Sequence, residues 1–476
     1  MINNQPILVV NLDGALLSSG LLFETLLEFL RDNPFRIFIL FLWLINGKAK
    51  FKHELASATN TDVAVLPYNQ RVIELIKEKQ IAGYRIILAS ASSQLLASRV
   101  SDYLGFFDDV IASTPDFNLS GLNKSNILIE NFGQNNFDYI GNSRDDIPVL
   151  AVAKDAYLVN ASVYIKRIAN SEGNVAGIID EERSTINDYL KAMRIHHWVK
   201  NLLVFVPLLL AHQYSSTLLI ANAFQAFFFF GLCASSVYIL NDLFDLRADR
   251  YHNRKKNRPF ASGILSIQNG IIASILLLIM SITLSIWRLP LVFVYCLSFY
   301  YLLTLIYSIK LKCYRIIDVV TLSVLHTLRI IAGALALSID LSFWLLIFSI
   351  FIFLSLAMAK RYAELYDLMI NNINGKVKGR GYFVSDEKII TTFGVASGYI
   401  SVVVLALYVN NDDIAQYYSN LEAIWLACPL LFVWISRIWM FAKRGLMNED
   451  PVIFAIRDKF SLCTLALLIV IFWIAI

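Results

Sequence analysis

The chain has 476 residues, 57% of them hydrophobic, and a formal net charge of only +4; its mean hydropathy is +0.59. That length leaves room for more than one domain, the hydropathy places part of the chain in a bilayer, and the small charge without a long basic run excludes a nucleic-acid partner. Five cysteines without paired spacing and six histidines without ligand spacing fit apolar fillers and scattered side chains rather than a disulfide framework or a zinc site.

Residues 1–165 alternate short apolar strands with amphipathic helices. Ile7–Val10, Arg85–Ala89, Val110–Ala112 and Phe137–Ile140 read as strands of a parallel sheet, with helices such as Asn69–Lys79 and Gln94–Leu104 between them. Ile7–Val10 runs directly into Asn11-Leu-Asp-Gly14, so it is a strand and not a cleavable signal peptide. Gly14, Ser90 and Gly141 stand where strands end, the edge at which an open α/β sheet places its site. Phe35–Ile45 is too short to cross a bilayer and apolar nearly all round apart from Arg36. It is expected to be buried against the second domain, in the lipid interface, or in the core of the first domain.

Across residues 5–160 the chain resembles the haloacid dehalogenase (HAD) superfamily. Asn11-Leu-Asp-Gly-Ala-Leu16 is similar to its first loop, Ser90 stands at its Ser/Thr position and Lys124 at its phosphate-binding lysine. Gly141-Asn-Ser-Arg-Asp-Asp146 is similar to its acidic metal motif. The resemblance implies a nucleophilic aspartate where this chain has Asn11, and a metal-site aspartate where it has Asn142. An amide is a poor nucleophile toward phosphorus, and two lost carboxylates remove charge that would hold Mg²⁺. Asp13, Ser90, Lys124, Asp145 and Asp146 remain, so the expectation is a degenerate phosphatase domain used for binding or docking.

Residues 166–190, including the polar run Glu181–Asp188, read as a linker and juxtamembrane segment, and residues 191–476 as an all-α membrane domain. About nine spans are expected: 200–213, 217–240, 265–287, 290–308, 317–337, 342–359, 388–409, 421–441 and 459–476. Lysine and arginine concentrate before the first span and in alternate loops, at 242–263, 309–316, 360–387 and 442–458. The positive-inside rule then places the first domain and these loops in the cytoplasm and the C-terminus outside, in a bacterial inner or plasma membrane.

The second apolar segment runs into Asn241-Asp-Leu-Phe-Asp-Leu-Arg-Ala-Asp249, with Lys255, Lys256 and Arg258 close behind. Spacings of three and four put Asp242, Asp245 and Asp249 on one face of a continuing helix. Carboxylates suit Mg²⁺, Mg²⁺ suits diphosphate oxygens, and the cations offset remaining charge. The alternative is a charged loop that only keeps a helix end in water. Farther on, Tyr307, Lys312, Asp318 and Arg329 form a second polar region, in which Leu322 stands where a second acid would pair with Asp318. Arg329 and His326 fall inside a span, and charge at that depth is expensive unless it lines a polar cavity.

Asn241–Asp249 resembles the N-D-x-x-D-x-x-x-D signature of the UbiA prenyltransferase superfamily, whose members bind a diphosphate through Mg²⁺. Trp198-Val-Lys-Asn-Leu-Leu-Val-Phe205, Ala359-Lys-Arg-Tyr-Ala-Glu-Leu365 and Asn448–Asp458 are similar to the branch of decaprenyl-phosphate phosphoribosyltransferase. This implies Mg²⁺-dependent transfer of a 5-phosphoribosyl group from phosphoribosyl diphosphate to a polyprenyl phosphate. Asp242, Asp245 and Asp249 would hold the metal, with Asn241 and Asp318 in the catalytic set. Lys200, Lys256, Arg258, Tyr307, Lys312 and Arg329 would meet diphosphate charge; Lys360, Arg361 and Glu364 would hold the donor's 5-phosphate and ribose. The competing readings are transfer of a polyprenyl group from its diphosphate to an aromatic acceptor, and a transporter or lipid-binding scaffold, which gives no reason for carboxylates in register.

Overall fold

Ile7–Asn11 is β1, and its alternating side chains are buried on both faces of a sheet. The computed structural model describes residues 5–475 apart from 173, 182–183, 253, 371–374, 376–379, 411–417, 419 and 448–449. Two compact units result, Met1–Met193 with Ile239–Ala273, and Arg194–Tyr238 with Ser274–Ile476.

The first unit holds a six-stranded sheet in the order β3-β2-β1-β4-β5-β6, with every pairing parallel. The other strands are β2 (Arg85–Ser93), β3 (Asp109–Ser113), β4 (Phe137–Gly141), β5 (Ala156–Val159) and β6 (Val175–Ile179). Leu8 and Val10 join Ile86, Leu88 and Ile140 in one core cluster, and Val9 joins Ile87, Ala89 and Tyr139 in the other. A parallel sheet covered on both faces needs this near-continuous apolar run. The strand order reverses around β1, so the loops after β1 and β4 splay apart there and make a crevice. The sheet also continues past the expected boundary at 165: Val163–Glu172 is a helix and Val175–Ile179 is the edge strand. A five-residue strand that is at most half-buried carries too weak a pattern to stand out from a linker.

Between β1 and the helix Gln70–Ile81 lie α1 (Leu21–Asp32), α2 (Ile37–Ile45) and α3 (Lys48–Ala58). They meet through Phe29, Leu40 and Leu55, with Trp43 and Phe51 packed alongside. Only Leu40 of α2 is buried, while Phe35 and Ile45 are 79% and 81% exposed. Burial of Phe35–Ile45 in the core of the first domain is therefore corrected: one contact row suffices to seat the helix on α1 and α3, and its outer face stays apolar and open.

Among the described residues seven helices are long and apolar enough to cross a membrane: Thr217–Phe244, Ile267–Arg288, Leu291–Ile309, Ile317–Leu337, Phe343–Ile370, Val384–Val409 and Leu421–Lys443. An eighth span results if Pro451–Arg457 and Lys459–Ala475, bent by 82°, count together. The expected first span, 200–213, is instead a 3₁₀ segment, Ile195–Phe205, followed by the short helix Val206–Leu210. Pro207 sits near the start of that helix, where its missing N–H costs nothing, but it cannot serve a helix running through from residue 200. The last bend lies at Asp458, whose carboxylate accepts from Ser461 N at 2.9 Å and from Arg437. Helix contacts in the second unit are close at glycine: a Cβ on Gly333 would stand 2.1 Å from the Val204 carbonyl oxygen, and one on Gly394 2.1 Å from the Trp439 ring.

Candidate functional site

Residues 239–273 belong to the first unit, and they contain the aspartate loop. The expected unbroken helix ends at Phe244 and resumes at Leu246–Tyr251, with Asp245 at φ −96°, ψ 7° between them. Helical hydrogen bonds survive across the break, Asp245 N to Asn241 O at 2.9 Å and Asp249 N to Asp245 O at 2.8 Å. Asp242 and Asp249, both 3% exposed, therefore still converge. One Arg258 nitrogen, Nη1, donates to Asp242 Oδ1 at 3.1 Å and to Asp249 Oδ2 at 2.5 Å. The 3₁₀ turn Lys255–Asn257 delivers Arg258 to them, and leaves Lys256 exposed. Asn241 and Asp245 are half-buried beside the break. Burial raises the Asp249 carboxyl to about 6; Arg258 opposes that rise and the neighbouring Asp242 adds to it.

Among the described residues no group of three or more His, Cys, Asp or Glu side chains is gathered as a ready metal cage. Mg²⁺ needs less than that. It binds through one or two carboxylates plus phosphate oxygens and water. Two buried carboxylates already drawn onto one cation meet this requirement.

The crevice at the ends of β1, β2 and β4 carries the second predicted constellation. Asn11 Nδ2 donates to Asp13 O at 3.0 Å, Asn142 Oδ1 at 3.1 Å and Asp146 Oδ2 at 3.2 Å. Lys124 Nζ donates to Asn11 Oδ1 at 3.0 Å and Asp146 Oδ1 at 3.1 Å, and Tyr139 OH donates to Asp146 Oδ1 at 2.6 Å. Burial works against the Asp146 charge, but Lys124 and then the Tyr139 hydroxyl outweigh it and hold the carboxyl below its usual range. Asp13 accepts from Leu21 N at 2.7 Å, Ser92 Oγ at 2.6 Å and Ser90 Oγ at 3.3 Å. Asn11, Asp13, Ser90, Lys124, Asn142 and Asp146 are thus brought together, and the two amides are stitched into the lysine–aspartate pair.

The second unit holds two further charged clusters. Asp318 is fully buried; its Oδ2 accepts from Arg361 Nε at 2.5 Å, and its Oδ1 from Tyr307 OH at 2.8 Å, Arg361 Nη2 at 3.1 Å and Arg380 Nη1 at 3.2 Å. Arg361 Nη1 also meets Glu364 at 2.6 Å. Separately, Asp450 Oδ2 accepts from Lys200 at 2.7 Å and Lys360 at 2.9 Å. Burial disfavours the Asp450 charge, yet Lys360 and Lys200 hold its carboxyl well below the ordinary range. These two lysines and Asp450 line a cleft whose other walls include Leu322, Phe353, Leu356 and Val452.

The UbiA prenyltransferase family profile matches residues 202–450, just over half of the chain. The chain belongs to the UbiA prenyltransferase family. With its seven or eight apolar helices this makes it a multi-pass integral membrane transferase. The uncharacterized protein y4nM of Sinorhizobium fredii is 33% identical over 95% of this chain and 88% of its own length. Nodulation protein NoeC of Azorhizobium caulinodans is 38% identical over 59% of this chain and 90% of its own. Decaprenyl-phosphate phosphoribosyltransferase of Mycolicibacterium smegmatis is 35% identical over 38% of this chain, and the match spans 58% of that relative. The first unit of this UbiA-family protein is the parallel α/β sheet that the strand pattern of residues 1–165 led one to expect.

Two residues of the expected site are engaged by other side chains in this UbiA-family chain. Asp318 accepts from Arg361, Arg380 and Tyr307. Arg329 is likewise engaged inside the helix bundle, donating to Asn201 Oδ1 at 3.1 Å, Leu325 O at 2.5 Å and Tyr300 OH at 2.9 Å. A buried guanidinium must satisfy its donors internally, and here helix packing does so. Lys312 is half-buried in the 3₁₀ turn Leu311–Cys313. Arg380 and Asp450 were missed as site residues. Asp450 stands before Pro451 and caps a helix by accepting from Val452 N at 3.2 Å, a readable signal; Arg380 had none. Asn448 and Glu449 of the same motif lie outside the described residues.

Proposed function

We propose that this protein transfers a 5-phosphoribosyl group from phosphoribosyl diphosphate to a polyprenyl phosphate. The observation that carries the reading is the convergence of Asp242 and Asp249 on Arg258 at the end of an apolar helix, a charge arrangement suited to a diphosphate. The 35% identity to a decaprenyl-phosphate phosphoribosyltransferase supports ribosyl over prenyl transfer. In this reading a lipid phosphate oxygen attacks the anomeric carbon, the carbon–oxygen bond to diphosphate breaks, and diphosphate leaves with the electron pair. The lipid phosphate is already anionic, so no strong base is required. Mg²⁺ held by Asp242 and Asp249, with Asp245 beside them, would neutralise charge growing on the leaving group. Arg258 contributes to that neutralisation, with Lys256 next to it in the same loop. Lys200 and Lys360 are proposed for phosphate charge, and the apolar walls around them suit a lipid-linked one.

The HAD-like half is proposed to bind or dock rather than hydrolyse, since the Asn11 amide stands at the nucleophile position and donates where a carboxylate would attack. Lysine and arginine in alternate loops favour a cytoplasmic position for this half and for the aspartate loop, with the C-terminus outside. Purified protein in nanodiscs, offered phosphoribosyl diphosphate with polyprenyl phosphate, or polyprenyl diphosphate with 4-hydroxybenzoate, and read by mass spectrometry, tests the reading. Ribosyl lipid should form, and chelation of divalent metal should stop it. Asp242→Asn should lower turnover by about a hundredfold or more, as expected for lost electrostatic stabilisation. Prenylated acceptor alone, or normal turnover by Asp242→Asn in chelator, refutes it.

A further inference from the structure

Two arginines of the aspartate loop, Arg247 and Arg250, pair with carboxylates other than those of the motif. Arg250 directly follows Asp249, yet its Nη1 and Nη2 both donate to the Glu24 carboxylate of α1, at 3.1 and 2.6 Å. Both side chains are only 7% exposed, and Arg250 Nε is tied to Ala261 O at 3.0 Å. Arg247 reaches Glu28 at 3.3 Å and Asp62 at 3.4 Å, and Tyr251 OH donates to Asp62. Positions 247, 250 and 251 are three and four apart, so they form one side of the short helix Leu246–Tyr251. The loop is gripped again at Gly263, where an added Cβ would stand 3.0 Å from Ser18 and 3.1 Å from Pro67. All of these residues belong to the first unit.

We infer that the HAD-like half positions the aspartate loop for diphosphate binding, with Glu24 and Asp62 as its positioning residues. The physical argument is registration. The helix Leu246–Tyr251 is only six residues long and follows a break at Asp245, so its own hydrogen bonds fix its rotation poorly. The bidentate Glu24–Arg250 pair fixes it from outside. Asp249 lies between the two gripped arginines in sequence, so the same contacts set where its carboxylate meets Arg258. The grip is anchored in turn: α1 begins at Leu21, whose N–H is held by Asp13 at the end of β1. The crevice beside β1 and the aspartate loop thus share α1. This inference rests on the diphosphate reading of the loop, but not on what the diphosphate carries.

The test uses the full chain in nanodiscs and two measurements, Mg²⁺-dependent binding of inorganic diphosphate and steady-state transfer with donor and lipid varied separately. Glu24→Gln keeps size and removes the charge. It should weaken diphosphate binding and raise the donor KM by roughly tenfold to a hundredfold, the range expected when a ligand-holding group is displaced by about 1 Å. The lipid KM should stay within about twofold, as expected for a binding effect confined to one substrate. Asp62→Asn should act in the same direction, and Glu24→Arg with Arg250→Glu should recover part of the donor affinity over either single variant. Equal losses for donor and lipid, or diphosphate binding unchanged in Glu24→Gln and Asp62→Asn, would overturn the inference. Diphosphate binding that depends on Glu24 in a protein showing no ribosyl transfer would support it while removing the ribosyl reading. Failure of the wild-type chain to bind diphosphate removes both.

Discussion

Replacing Asp318 by Asn tests whether this acid is an anchor rather than a metal ligand. Its cluster holds two guanidinium groups, Arg361 and Arg380, and two carboxylates, Asp318 itself and Glu364. The substitution leaves two cations against one anion, with Arg361 only 1% exposed. An amide nitrogen placed at Oδ2 would face Arg361 Nε, donor against donor, at a contact now 2.5 Å long; placed at Oδ1 it would face three donors. A hydrogen bond to a charged group is worth about 1.5–3 kcal/mol, and breaking a buried pair from one side costs about 3–5 kcal/mol. The lower figure is about a hundredfold in the unfolding equilibrium. Asp318→Asn should therefore lose about 3 kcal/mol or more in denaturant titrations of the detergent-solubilised protein. Asp318→Leu with Arg361→Met, which removes both buried charges, should recover a substantial part. Wild-type stability in Asp318→Asn together with loss of metal-dependent activity would refute the anchoring argument and return Asp318 to the metal site.

The remaining predictions concern two acidic sites of the first unit. Because burial raises the Asp249 carboxyl to about 6, Mg²⁺-dependent diphosphate binding should strengthen as pH rises through that value, and Asp249→Asn should lack the inflection. The linkage sign for stability is opposite: a raised carboxyl means the folded chain holds the extra proton. Ligand-free stability from this group should fall as pH rises from 3.8 through about 6. At the crevice beside β1 and β4, the unmodified chain should show no metal-dependent hydrolysis of phosphomonoesters. Asn11→Asp with Asn142→Asp replaces the Asn11 Nδ2 donor, now 3.1 Å from Asn142 Oδ1 and 3.2 Å from Asp146 Oδ2, by a carboxylate oxygen facing two others. That variant should be destabilised in chelator and restabilised by Mg²⁺ in thermal scans; indifference to Mg²⁺ would show that the crevice no longer admits the ion.

Much of the architecture follows from local pattern. Apolar runs of strand length ending in Asn11, Ser90 and Gly141 define a parallel sheet and its functional edge, since a strand buried on both faces must read as such a run. Apolar stretches of about twenty residues define the spans, and the spacing of Asp242 and Asp249 survives the break at Asp245 because the helical hydrogen bonds on either side of it are kept. Whether a charged residue faces a ligand or another side chain is not a local property. Arg250 and Glu24 are 226 residues apart, and Arg361 and Asp318 are 43 apart. The sequence shows four ionisable residues; only the tertiary fold pairs them, because burying any one of these charges is affordable solely beside its partner. The same holds for α2: composition establishes that it is apolar, and only the packing of Leu40 against Phe29 and Leu55 decides which face is left outside.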